Sequence, residues 1–277
     1  YLGKKRIQGN SLNREWNIMV YASHLLKDEE MRQVVEATDV GIESIEFSIS
    51  ENLDCLNEKI VEYIERLEYI GTRNLTLHGP FLDLNPMAYD SMVRAVTKAR
   101  FTQTYEAAKR LGAKKIIFHT GFLPGVYYLT DWAKRMAEFW NEFMKGKSGV
   151  QILMENVYDK EISPMIEVEQ KVESPDFKLC LDIGHAHCYS PRSLSDWIQT
   201  FGEHAGHVHI HDNCGDRDSH LGLGRGNIPI DETLEMLMAY MPDADYTIEC
   251  SIMEDVLMSG RAVSSCREKM QSAMKTG

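Results

Sequence analysis

One feature of this chain limits its fold more than any other: short apolar runs rich in β-branched residues alternate with longer stretches of helical period, and the pair recurs eight times. The expected strands cover 16–21, 42–48, 74–78, 115–119, 151–155, 178–182, 207–211 and 246–250. Leu56, Ile60, Ile64 and Leu67, spaced by three and four, place an apolar stripe on a helix ending near Gly71. Further helices are expected over 87–111, 131–145, 193–201, 230–240 and 254–270, with Gly112, Gly146 and Gly202 where helices should stop. Strands separated by helices pair in parallel through right-handed crossovers, and eight repeats are the number that closes a ring. The expected fold class is therefore α/β, a single (β/α)8 TIM barrel spanning residues 1–277. Polar residues 1–15 are expected as an N-terminal extension, either a tail or an extra cap. A doubly wound open sheet is the alternative, but no GxGxxG follows the first strand.

Composition narrows the partners. No apolar run approaches the roughly 20 residues that span a bilayer, so no membrane association is expected. A net charge of -12 disfavours wide, nonspecific binding to nucleic-acid phosphates, which relies on clustered Lys and Arg. A cation-filled cleft can still draw phosphate locally on an acidic surface. The six cysteines (Cys55, Cys180, Cys188, Cys214, Cys250, Cys266) form no CxxC pair, and no secretory apolar stretch opens the chain. Reduced thiols and a cytoplasmic location are expected. The fifteen methionines fall mostly on helical patterns and are expected to fill the core.

The chemistry concentrates at strand ends. His78 closes LTLHGPF, His119 IIFHTG and Glu155 ILMENV; Asp182 and His185 stand in CLDIGH, His209 in HVHIHD and Glu249 in TIEC. From His78 to Glu249 the strand-end positions are 27 to 41 residues apart, one βα repeat each, so ring closure would bring them to one mouth. Strand interiors disfavour Asp and Glu, and several carboxylates buried together need a counter-charge, which divalent cations supply. Glu155, Asp182, Glu249 and His209 together suit Zn2+ or Mn2+, with Mg2+ and Co2+ also compatible. In HVHIHD the strand period puts His207, His209 and His211 on one face, of which only the most inward need be a ligand. The glycine-rich stretch DNCGDRDSHLGLGRGNIP carries Asp218 and His220 two residues apart; if extended, it points both side chains the same way, toward a second or third ion.

These motifs, ILMEN, CLDIGHAH, HVHIHDN, DSHLGLGRGNIP and TIEC, resemble the xylose isomerase-like TIM-barrel superfamily over about residues 16–270. The superfamily's sugar isomerases and epimerases hold one divalent metal with Glu, Asp, His and Glu, which fall here on Glu155, Asp182, His209 and Glu249. The resemblance implies proton transfer on a small sugar, sugar phosphate or polyol through a metal-stabilised enediolate, with Glu155 and Glu249 as acid and base and His185 orienting a substrate oxygen. A dehydratase would use the same chemistry. An Arg found near strand seven in some epimerases has no clear match, although Arg217 or Arg225 could replace it.

The chain also resembles endonuclease IV, whose nine ligands for three zinc ions would fall on His78, His119, Glu155, Asp182, His185, His209, Asp218, His220 and Glu249. That resemblance implies one to three ions and an alternative activity, phosphodiester cleavage of abasic DNA, nucleic acid being a partner only in that case. Phe81 and Leu82 could wedge a base pair or floor a sugar pocket. Against the nuclease, SISENLDC after strand two is acidic. Tyr127 and Tyr128 would stack on a sugar or anchor a loop, and barrels of this kind often form homodimers. His24, His187, His204 and His207 have no convergent partner in this reading.

Overall fold

A computed structural model describes residues 18–276. Eight parallel strands close into a barrel in sequence order: β1 (Val20–Ser23), β2 (Gly41–Ser44), β3 (Leu75–His78), β4 (Lys115–His119), β5 (Gln151–Glu155), β6 (Phe177–Asp182), β7 (Ala205–Ile210) and β8 (Asp245–Ile248). Pairing of Ala22 with Ile42 on one side and with Ile248 on the other joins β1 to both β2 and β8 and shuts the ring. The helices are α1 (Asp28–Thr38), α2 (Ser50–Asp54), α3 (Leu56–Ile70), α4 (Ser91–Leu111), α5 (Trp132–Met144), α6 (Ser163–Lys171), α7 (Ile183–Tyr189), α8 (Leu194–Phe201), α9 (Ile230–Tyr240) and α10 (Met253–Thr276). The expected (β/α)8 barrel is present. No helix among the described residues is long and apolar enough to cross a membrane.

Alternation along each strand sorts side chains into two environments. Outward-facing Ile42, Leu77, Ile116, Phe118, Met154 and Leu181 join the large core between sheet and helices. Phe101 of α4 stacks on Phe118 with ring centroids 4.0 Å apart, and Trp140 of α5 lies beside both. Inside the barrel, among the described residues, only Ile117, Leu153 and Cys180 form an apolar cluster. The rest of the interior is polar. At its N-terminal end Lys115 pairs with Asp245 at 2.7 Å and also donates to the Gly206 carbonyl.

Several boundaries differ from the sequence reading for local reasons. Of the expected first strand, Trp16 and Asn17 lie outside the described residues, as does the 1–15 extension, and pairing starts at Val20. The second strand stops at Ser44, where the chain turns into a 3-10 segment, Glu46–Ser48. Helix α4 begins at Ser91 rather than 87 because the Asp90 side chain accepts from the Met92 and Val93 amides and fixes the start there. It ends at Gly112, whose φ of 74° is a left-handed stop. In α3 the buried face is Ile60, Tyr63, Leu67 and Ile70, so Ile64 lies at the stripe's edge and is exposed. Helices α1, α2, α6 and α7 add to those read from the sequence.

Candidate functional site

The strand geometry places His78, His119, Glu155 and Asp182 as the last residues of β3 to β6, His209 next to last in β7, and Glu249 one residue beyond β8. All face inward at the C-terminal mouth. Asp182 also caps α7, accepting from the His185 amide at 2.6 Å, and this turns the His185 imidazole into the same space. Asn156 locks the corner: its amide donates to the Asp182 carbonyl and its oxygen accepts from the Asp182 amide.

The nine residues singled out in the sequence converge. Glu155 lies at the centre, with Oε2 3.6 Å from Nε2 of both His78 and His119 and 3.5 Å from His209 Nδ1, and Oε1 3.2 Å from His185 Nδ1. His209 Nδ1 is also 3.5 Å from Glu249 Oε2 and 3.9 Å from Asp182 Oδ2. Asp218 bridges His185 Nε2 at 3.3 Å and His220 Nε2 at 3.0 Å. The last pair does not arise from an extended loop as expected: His220 takes a left-handed φ of 46°, and its ring is held between Asp218 and the Glu249 carbonyl.

Two residues that sequence reasoning missed belong to this assembly. His211 Nε2 lies 3.2 Å from Asp182 Oδ1 and 3.6 Å from Asp218 Oδ1, and its ring stacks on His220 at 4.0 Å. The alternation in HVHIHD is the signal that puts it on the inward face. Glu43 of β2, fully buried, lies 3.1 Å from His209 Nε2. Its only sequence signal is an acid in the expected strand 42–48, which also holds a second acid, Glu46, that lies in the 3-10 segment and pairs outside the barrel with Arg66. Of the histidines given no partner above, His207 meets Glu43 and Thr247, His24 meets Tyr63 and Asp28, His204 pairs with Glu169, and His187 with Asn227. Arg225 is tied to Asp255 at 2.7 Å, and Arg217 is exposed and does not line the cleft.

The electrostatics follow from this crowding. Burial alone would raise the Glu155 carboxyl, but the imidazoles of His209 and His185 outweigh it and hold the carboxyl well below the ordinary range. Glu249 goes the other way: burial, assisted by the negative charge of Asp182 and Glu155, raises it against the pull of His209 and His220. Burial lowers His119 to about 3, which keeps it neutral, while Asp218 and neighbouring carboxylates raise His220 to about 9 despite burial.

The donor set suits cations. Ligand atoms within 4.8 Å of one another form the groups His78, His119, Glu155; Glu155, Asp182, His209; Asp182, His211, Glu249; His185, His211, Asp218, His220; and, deeper in the barrel, Glu43, His207, His209. Glu155 Oε2, His209 Nδ1 and Asp218 Oδ1 are buried there with no hydrogen-bond partner among the described residues. Buried polar atoms without partners are costly, and a divalent ion satisfies carboxylate oxygens and neutral imidazoles together.

Above these groups opens a cleft of about 930 Å³, walled by Phe81, Leu82, Leu123, Tyr127 and Tyr158 among others. Phe81 stacks on His119 at 4.4 Å. Tyr128 projects into solvent away from the cleft. Among the described residues, no Lys or Arg lines it.

The barrel with this mouth matches a family model described as xylose isomerase-like TIM barrel over residues 34–261. The chain belongs to the xylose isomerase-like TIM-barrel family. Two uncharacterized proteins of Methanocaldococcus jannaschii are similar to it, one 28% identical over 222 residues covering 76% of each chain, the other 26% identical over 205 residues covering 73% of this chain and 79% of that one. A D-tagatose 3-epimerase-like protein shares the fold with a TM-score of 0.73 at 22% identity, over 92% of this chain and 99% of its own. A protein of Thermus thermophilus, its structure obtained with ZnCl2 soaking, gives 0.68 at 22% identity, over 89% and 98%. A D-psicose 3-epimerase gives 0.65 at 16% identity, over 93% and 100%. At these identities the likeness to solved structures is one of fold, and this family member's chemistry has to be argued from its own residues.

Proposed function

We propose that this chain is a divalent-metal-dependent isomerase or epimerase of a small, neutral sugar or polyol. The observation that carries this reading is the pairing of a carboxylate-rich cation cradle with cleft walls that hold no Lys or Arg among the described residues. A phosphorylated or polyanionic substrate is ordinarily met by such side chains, whereas hydroxyls and carbonyls are not. The epimerase names attached to two proteins of the same fold agree with it.

Glu155, Asp182, His209 and Glu249 would hold the central cation, with Zn2+ or Mn2+ suited to this mixed oxygen and imidazole set. When bound, the ion supplies Lewis acidity that eases removal of a proton beside a carbonyl. Glu155 and Glu249 approach that centre from β5 and β8, each 3.5 Å from His209 Nδ1, so one carboxylate takes the carbon-bound proton and the other carboxyl returns one at the opposite face. His185 Nδ1–H donates to the Asn156 carbonyl at 3.0 Å and Nε2 lies 3.3 Å from Asp218 Oδ2, so the ring is held at the cleft wall, where it would orient a substrate oxygen. The apolar rim excludes water from the exchanging proton. Buried free thiols such as Cys180 and Cys250 are in keeping with a cytoplasmic setting.

The test is solvent deuterium exchange into a panel of ketoses by the metal-reconstituted enzyme, followed by NMR. We expect one carbon-bound hydrogen to exchange, and Glu249→Gln to slow this by about 10²- to 10⁴-fold. Normal exchange in that variant would remove Glu249 from proton transfer. A second reading, metal-dependent phosphodiester cleavage, is favoured by the flanking groups His78–His119–Glu155 and His185–His211–Asp218–His220, which offer room for further ions. Three ions per chain by elemental analysis, together with incision of duplex DNA at an abasic site, would establish that reading in place of ours.

A further inference from the structure

Glu43 is a carboxylate inside a closed barrel, fully buried, whose partners are Thr76, Thr247, His207 and His209. None of these is a Lys or Arg. A carboxylate so placed is expensive to bury and adds no packing that an apolar residue would not supply better. The cluster of Ile117, Leu153 and Cys180 shows that the barrel interior accepts apolar side chains.

The position of Glu43 explains its presence. His209 lies between two sets of acids: its Nδ1 looks up at Glu155, Glu249 and Asp182, while its Nε2 looks down at Glu43, 3.1 Å from Oε1 and 3.3 Å from Oε2. Nδ1 has no hydrogen-bond partner among the described residues. The Thr247 hydroxyl donates to Glu43 Oε2 at 2.6 Å and the Thr76 hydroxyl at 3.3 Å, and His209 Nε2 also bonds Oε2, while Oε1, 3.1 Å from the same nitrogen, has no other partner among the described residues. An imidazole that gives its one proton to a carboxylate presents a bare nitrogen on the other side, with its ring angle fixed and its basicity raised.

We propose that Glu43 is a positioning residue for the central cation: by taking the Nε2 proton of His209 in a hydrogen bond it fixes the tautomer whose Nδ1 binds metal at the mouth. This rests on the assignment of Glu155, Asp182, His209 and Glu249 as cation ligands, but not on the identity of the substrate. Thr76 and Thr247 act one step further back, by orienting the carboxylate. Replacing Glu43 by Gln keeps the shape while changing the preference. Its amide oxygen is best placed on the two threonine hydroxyls, which turns the amide nitrogen toward His209 Nε2, makes that nitrogen an acceptor and moves the proton to Nδ1, where the cation should bind.

Two measurements test this, neither of them catalytic. In long-range 1H–15N spectra of Zn2+-loaded wild-type protein, His209 should show a protonated Nε2 and a metal-bound Nδ1. Calorimetric titration with Zn2+ should show the tightest site weakened by about 10- to 100-fold in Glu43→Gln, with thermal unfolding of the metal-free form little changed and Glu43→Asp recovering part of the loss. His209 bound through Nε2 or not bound at all would overturn the proposal. So would wild-type affinity in Glu43→Gln. Because both readouts are made without substrate, a protein that binds Zn2+ as described yet exchanges no sugar hydrogen would refute the proposed reaction and leave the role of Glu43 standing.

Discussion

Asp212 follows β7 and is fully buried, and its carboxylate organises the loop that presents Asp218 and His220. Oδ1 accepts from the amides of Asn213 (2.8 Å) and Ile228 (3.1 Å), and Oδ2 from those of Gly224 and Gly226 (both 2.9 Å). One side chain therefore ties both ends of a sixteen-residue excursion, 213–228, to the strand end. Asp212→Asn keeps one oxygen and replaces the other with a donor. The oxygen should stay with Asn213 and Ile228, which are buried, and give up Gly224, which is exposed, and Gly226, which is half-buried. Two charge-assisted bonds at about 1.5–3 kcal/mol each set a ceiling near 6 kcal/mol. Water reaching the freed amides reduces that to about 2–4 kcal/mol, expressed as local opening of the loop rather than global unfolding. Native-state hydrogen exchange should show protection lost over residues 213–228 and retained in β4, β5 and β6. Any Zn2+ taken up by the group His185, His211, Asp218 and His220 should be lost, and binding at the central group Glu155, Asp182 and His209 kept. Unchanged protection of Gly224 and Gly226 would refute the assignment of these bonds as the loop's anchor.

Two further perturbations follow from single contacts. A Cβ on Gly184 would sit 1.9 Å from His211 Cε1, so Gly184→Ala should push that ring off Asp182 and cost about 1–3 kcal/mol in urea unfolding; an unshifted His211 resonance would contradict this. Asp159 is buried, and burial pushes its carboxyl up to about 6 although Oδ2 accepts from the Thr120 hydroxyl and the Val157 amide. A raised carboxyl contributes stability that is fully present below the unfolded value near pH 4 and is lost as pH rises through about 6, so wild type should weaken over that window by up to about 3 kcal/mol. In Asp159→Asn the amide oxygen keeps both bonds without the charge, so its advantage should grow from pH 4 to pH 7; urea midpoints with a gap independent of pH would refute the cause.

Much of this candidate site was legible in the chain because of one regularity: in β3 to β6 the last strand residue is the candidate ligand, and the expected and observed β4 and β5 coincide. Strand period and ring closure then did the rest, so residues 27 to 41 apart could be placed together without knowing any loop. The failures lie where that regularity stops. His211 is one residue past β7, and alternation alone cannot say how many of three inward histidines reach the mouth. Glu43 and Glu46 stand three apart in what reads as one strand, but the chain turns at Ile45, sending Glu43 inside and Glu46 to Arg66 on the outside. Asp218 and His220 meet through a left-handed residue, which strand period does not describe.

The same regularity bears on how such a barrel can exist. A ring of eight parallel strands normally fills its interior with branched apolar side chains, yet here, among the described residues, the interior apolar cluster is reduced to Ile117, Leu153 and Cys180, with a layer of acids and imidazoles at the mouth. Stability must therefore come from the outer layer, where Phe101, Phe118, Trp140, Phe143 and Phe177 pack in continuous ring contact and the strands' outward residues are almost entirely aliphatic or aromatic. That division frees the interior from packing demands. Polar residues can then be retained there for what they ligate and orient: Lys115 pairs with Asp245 at the base, Glu43 Oε2 meets the threonine hydroxyls in the middle while Glu43 Oε1 and His207 Nδ1 have no hydrogen-bond partner among the described residues, and at the mouth cations would satisfy Glu155 Oε2, His209 Nδ1 and Asp218 Oδ1.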